Sequence, residues 1–335
     1  MKQRLGPGHP LVRSLFGIGV GAVLFLVMMV ELPASPGAGT AEVWVADRDA
    51  DELVGLDGDG FVVGRVDVRA PVAVAAGGAA VYAASSLEGW ALGEHALVEV
   101  HPGGRPRVVA AGLGPVLDLE LLPDGGALLV ELISGGPERV LRTKSEAVAG
   151  PGTGLVLVAE LDGAGCAAGR TVEHGGALIT EVLVGDWGGG LSLLRDGAPV
   201  ASRQLGGELG DVAPGPGGTW FVLEVAAPGR LHLVDQNLAV LWTVEHGLAA
   251  AGLAPVVGQE RVWLVDSTEP LARRYGPGGA LELEVPLLAT DAADAVARPD
   301  GGAWIATPGA VLRLDAGGSS VPGQGGFDQL VGIAR

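Results

Sequence analysis

Three aspartates stand in matched settings along the chain: Asp118 in "VLDLEL", Asp211 in "LGDVAP" and Asp294 in "AADAVA". Each precedes a large apolar residue (Leu128, Trp220 and Trp304) by nine or ten positions. Asp328 in "FDQLVG" extends the series, and a second acidic set follows the apolar residues: Asp47, Glu131, Glu181, Glu224 and Asp266. Carboxylates brought together from separate segments offer hard oxygen ligands, and Ca²⁺ takes six to eight of them. The competing role is local, because an Asp side chain accepts backbone N–H bonds and closes its own turn. A position repeated this regularly serves the repeat first, so turn capping is favoured over Ca²⁺ binding by Asp118, Asp211 and Asp294.

Residues that break the repeat are better candidates for a ligand surface. "SSLEGWALGEH" (85–95) carries Trp90 with Glu88, Glu94 and His95, and "GDWGGG" (185–190) carries Trp187 beside Asp186. An aromatic ring in a polar loop gives an apolar face with polar neighbours, the make-up of a binding surface. Trp90, Trp187, Glu88 and Asp186 are therefore the expected ligand-binding residues. The "ADRDADE" loop (46–52) alternates carboxylates but lacks the Gly and distal Glu of an EF-hand loop. His174 reads as a turn residue, and His101, His232 and His246 show no mutual spacing. No Ser/His/Asp order, His pair or phosphate-cradling loop stands out, and the glycine-rich pieces do not join a strand to a helix.

The elements that must position these residues follow from composition. With 58 Gly and 22 Pro among 335 residues, long helices are disfavoured, since each interior Gly costs about 1 kcal/mol against Ala. An apolar share of 48% rules out disorder, and no G-X-Y period suggests collagen. Short strands joined by tight turns remain. A unit built on Gly-Gly followed by an apolar strand recurs as "PDGGALLVEL", "EHGGALITEV", "GPGGTWFVLE" and "PDGGAWIATP". Its large residues are Trp44, Tyr82, Leu128, Leu178, Trp220, Trp263 and Trp304, spaced 38, 46, 50, 42, 43 and 41 apart. A period near 40–45 with several short strands per unit marks a β-propeller blade.

Each blade reads as four antiparallel strands, a to d from the channel outwards. In the last copy these begin with "DAVARP", "AWIAT" and "AVLRLD". The first copy lacks a strand a, and "LVGIAR" (330–335) has no further partner. Pairing the two closes the ring and removes its open edge. The expectation is an all-β, seven-bladed propeller over residues 42–335. The count is least constrained between Leu128 and Leu178, where "GPGTGLVLVAELDGAG" reads as an extra strand pair or an inserted loop.

The pattern of inner strand, "PDGG", Trp, second strand, third strand ending "LD" and Gly-Gly resembles the NHL-repeat, streptogramin-lyase-like and SMP-30-like propellers. That resemblance implies either a binding scaffold or a lyase or lactonase with a divalent cation in the central channel. The Glu, Asn and Asp set of the lactonase-like relatives is not reproduced: only Asn237 is available, in a turn between strands c and d. No His in a loop leading into a strand a matches the lyase relatives. The balance favours a scaffold without a cofactor, with an enzyme as the alternative.

Residues 1–41 read as a targeting segment. Lys2, Arg4 and Arg13 precede an apolar run from Leu15 to Val30, and Gly39 and Ala41 supply small residues ahead of Glu42. Sixteen apolar residues suit a signal-peptide core better than a spanning helix, which needs about 20. The expectation is export to a periplasmic or extracellular space, the membrane being touched only through residues 15–30 if they are retained. A formal charge of −18 repels phosphate backbones and disfavours nucleic acid as a partner. A protein or small molecule at the channel face is expected instead. Cys166 has no partner for a disulfide and reads as a small buried residue.

Overall fold

The computed structural model describes residues 41–77, 80–86, 94–101, 105–143, 154–174, 176–289 and 291–334. These form twenty-eight strands, β1 to β28 in chain order, in seven four-stranded antiparallel sheets. Six sheets are consecutive in sequence. The seventh joins β28 (Leu330–Ala334) to β1 (Val43–Asp47), β2 (Glu52–Leu56) and β3 (Val62–Asp67). Ile333 pairs with Val45 and Ala334 with Trp44, so the C-terminal strand closes the ring as its pattern requires.

The segment left open by counting resolves simply. Leu155–Leu161 is β11, the outer strand of blade three, so no extra strand pair is inserted there. Blade four follows with β12 (Ala164–His174), β13 (Ala177–Asp186), β14 (Gly190–Arg195) and β15 (Ala198–Gln204).

The core lies between the sheets. Seven apolar clusters occupy the seven seams between adjacent blades. Period-two alternation decides which seam a strand-b residue enters. Tyr82, Leu128, Trp263 and Trp304 all face the following blade. Trp220 stands one residue out of that register and packs back onto Cys166, Ala168 and Leu183 of blade four; Phe221 takes the forward position. Trp220, Trp263 and Trp304 are each wholly buried and each covered by an arginine (Arg170, Arg274 and Arg298), with guanidinium carbon to ring centroid distances of 4.1, 5.2 and 4.9 Å.

Leu178 is not a core residue. It is 77% exposed, and Leu183 fills the seam in its place. In blade five the a–b hairpin ends with Pro214 opposite Trp220, whereas in blade four pairing continues from Arg170–Glu181 out to His174–Ala177. Gly176 thus sits at the tip of a lengthened hairpin, and counting from that glycine signal places the anchor five residues early.

Candidate functional site: the channel and the b–c face

The inner strands set the channel. In β8 (Val116–Leu121), β16 (Leu209–Pro214) and β20 (Ala250–Pro255) a bulge precedes one repeated position, occupied by Asp118, Asp211 and Gly252. Around the ring this position reads Gly332, Ala73, Asp118, Cys166, Asp211, Gly252 and Asp294. From blade three onward, aspartate alternates with a small residue.

Each aspartate reaches across a seam. Asp118 Oδ2 accepts from Ala167 N–H at 2.7 Å, Asp211 Oδ2 from Leu253 at 2.7 Å and Asp294 Oδ2 from Ile333 at 3.2 Å. The donor is always the residue after the small one in the next blade's inner strand. Asp118 Oδ1 and Asp294 Oδ1 also accept from Leu119 and Ala295, at 2.9 and 2.7 Å. The small neighbour leaves room: a Cβ on Gly252 would lie 3.2 Å from Asp294 Oδ1 and 3.5 Å from Asp211 Oδ2. The carboxylates expected to cap local turns instead fasten one blade to the next.

Glu120 stands two residues beyond Asp118 on the same face of β8. Burial pushes its carboxyl well above the usual range, and the like charges of Asp118, Asp211 and Asp294 add to the effect. Burial also raises Asp118 to about 6 and Asp294 to about 7 against the N–H bonds they accept, and lifts Asp211 well above its ordinary value. Among the described residues no three His, Cys, Asp or Glu side chains gather closely enough to hold a metal ion. Asp118, Asp211 and Asp294 sit on alternate blades, and each is bonded to a separate strand.

The second acidic set divides. Asp47, Glu131 and Asp266, at the ends of strand b, are buried and cap the loops leading into strand a. Asp47 accepts from Asp328 and Gln329 N–H at 3.0 and 2.8 Å, Glu131 from Gly114 at 2.6 Å and Asp266 from Ala249 at 3.2 Å. Asp328 therefore lies in such a loop, with Gly332 at the position matching Asp118. Glu181 belongs to the lengthened hairpin and binds Arg170 and Arg195, each at 2.7 Å. Glu224 is buried beside His232 (Nε2 to Oε1, 3.2 Å), a pairing that sequence spacing did not reveal. Its only signal is a histidine interrupting the apolar run "RLHLV".

On the b–c face, Trp187 occupies the turn between β13 and β14 and is 45% exposed. Its backbone N–H donates to Gly163 O at 2.9 Å, and its indole rests on Gly165, where a Cβ would fall 2.3 Å from Nε1. Gly189, at φ 88°, closes the turn against Gly207 O, which a Cβ would approach to 2.4 Å. Asp186 Oδ1 accepts from Gly190 N–H at 2.7 Å and so shapes the turn that displays the ring. Trp90 and Glu88 lie outside the described residues. In the first blade, Asp51 Oδ1 accepts from Ala70 N–H at 2.7 Å, so this carboxylate of "ADRDADE" is structural.

With this geometry the chain superposes on solved propellers. A functionally unknown protein from Desulfotomaculum acetoxidans matches with a TM-score of 0.65 at 14% identity, over 87% of this chain and 98% of its own. Streptogramin B lyase matches with 0.60 at 10% identity, over 79% and 86%. The WD40 β-propeller domain of Doa1 gives 0.56 at 13%, over 75% and 82%. The likeness is one of fold. No protein-family profile matches the chain, and no curated protein is similar to it in sequence.

Proposed function

We propose that this chain is an exported binding scaffold whose ligand, a protein segment or small molecule, is taken on the b–c face. The observation that carries this is Trp187: a large aromatic exposed on the rim, in a turn built from five glycine or aspartate neighbours and seated against Gly165. Exposed aromatics held rigidly bind at low entropic cost and recur as interface anchors. The channel carboxylates support the same reading, because their oxygens hold the ring together. The basic start and apolar run before residue 41 support export.

The test is a fluorescence and thermal-shift screen of the purified domain against glycans, peptides and small metabolites, with Trp187→Ala as the paired control. A ligand that stabilises the wild type but not the variant is expected. Ligands that stabilise both equally would place binding away from this rim and overturn the assignment.

A further inference from the structure

Blade five carries a row of side chains unlike its neighbours. Strands β16, β17 (Trp220–Glu224), β18 (Arg230–Val234) and β19 (Val240–Glu245) align Val212, Val222, His232 and Thr243 side by side. The row faces blade four, where Val212 and Val222 join the seam cluster. In blades one, two, three and seven the third place of this row is apolar (Val54, Val98, Leu141 and Leu312), while blades four and six carry Ser192 and Arg273 there. Of the seven blades, only blade five has an imidazole, His232, at this place. Glu224 stands out as well: its equivalents Asp47, Glu131 and Asp266 accept backbone N–H bonds, whereas Glu224 packs against His232 and Arg230.

The three groups form a connected series. His232 Nδ1 lies 2.8 Å from Thr243 Oγ1, and Nε2 lies 3.2 Å from Glu224 Oε1, within Coulomb range though not aligned as a hydrogen bond. Glu224 and His232 side chains are 3% and 6% exposed, while Thr243 is open to solvent. A hydroxyl at the surface, a buried imidazole behind it and a buried carboxylate behind that is the constellation that activates an alcohol nucleophile. Burial keeps the imidazole neutral and able to accept a proton, and Glu224 favours the charged form once it does.

We propose that Thr243, His232 and Glu224 form an acyl-transfer site at the outer rim of the seam between blades four and five, acting on carboxylic esters. This goes beyond the scaffold reading and does not depend on it. Thr243 Oγ1 attacks the ester carbonyl carbon while its proton passes to His232 Nδ1. The carbonyl–alkoxy bond then breaks, and the departing alkoxide takes that proton from Nδ1 and leaves as the alcohol. Water, deprotonated by the same nitrogen, attacks the acyl-threonine; the acid leaves and Oγ1 recovers the proton. Glu224, 3.2 Å from Nε2, stabilises the imidazolium by its charge and is a positioning residue.

The site is tested with 4-nitrophenyl acetate and a fluorophosphonate probe on the intact domain, read by intact mass and peptide mapping. One acyl or phosphonyl group on Thr243 is expected. Thr243→Val, at an exposed position, should lose labelling by about 100-fold or more, and Thr243→Ser should keep it. Glu224→Gln should move the inflection of the labelling rate to lower pH, a change that a purely structural role would not produce. An unlabelled wild type, a label elsewhere, or Thr243→Val reacting like wild type would each overturn the proposal.

Discussion

Asp294 offers a perturbation whose sign is unusual for a carboxylate. Its two oxygens accept N–H bonds from Ala295 and Ile333, yet burial raises its pKa from 3.8 to about 7. A group that holds its proton more tightly when folded stabilises the fold fully below its unfolded value, and loses that contribution as pH rises through the folded one. The window is therefore about pH 4 to 7, and at 1.36 kcal/mol per pH unit the loss is about 4 kcal/mol. Asp294→Asn removes the titration. It also turns an amide NH₂ towards one of the two N–H donors, which costs about 1–3 kcal/mol at any pH. The two effects predict a crossing: wild type more stable at pH 4, and the variant equal or better by pH 8. Urea midpoints by tryptophan fluorescence, taken between pH 4 and 8 at fixed ionic strength, measure it. Only the difference between the two proteins is diagnostic. His232 and His246, whose pKa values burial depresses, add a slope of opposite sign below pH 6.5 in both. Parallel curves for wild type and variant would refute the reasoning and show that Asp294 stays ionised in the ring.

Other outcomes follow from the packing. Leu183→Ala, in the blade four–five seam, should cost about 2–5 kcal/mol, whereas Leu178→Ala at the hairpin tip should cost under about 0.5 kcal/mol; denaturant midpoints decide. Trp263→Ala should cost about 3–5 kcal/mol, far more than Trp187→Ala at the exposed rim. Deleting residues 330–335 removes both the inner strand of blade one and the Ile333 N–H that Asp294 uses. The melting temperature should fall by several degrees, and an unchanged value would refute closure by this strand. Glu131→Gln keeps one acceptor for Gly114 N–H but loses its ion pair with Arg139, so a loss of about 1 kcal/mol is expected by the same measurement.

The sequence by itself determined the ring. Turn glycines and two-residue alternation are local properties, and their recurrence every forty or so residues states both the blade and, through the unpaired "LVGIAR", its closure. Even the exposure of Trp187 was legible, because an aromatic among glycines between two strands has no strand face on which to hide. Three matters needed the tertiary structure. Leu178 follows the same Gly-Gly signal as Trp304, but only the pairing of Arg170–Glu181 through His174–Ala177 shows that its hairpin runs past the seam. Trp220 and Phe221 are adjacent, and only the neighbouring sheets reveal which of them faces backward. The acidic residues were visible as repeats but not in their roles. Asp118, Asp211 and Asp294 bond to backbone groups 49, 42 and 39 residues away, on a strand that arrives beside them only when the next blade docks. A carboxylate's partner at that distance is set by how the sheets pack, and no local pattern in the chain encodes it.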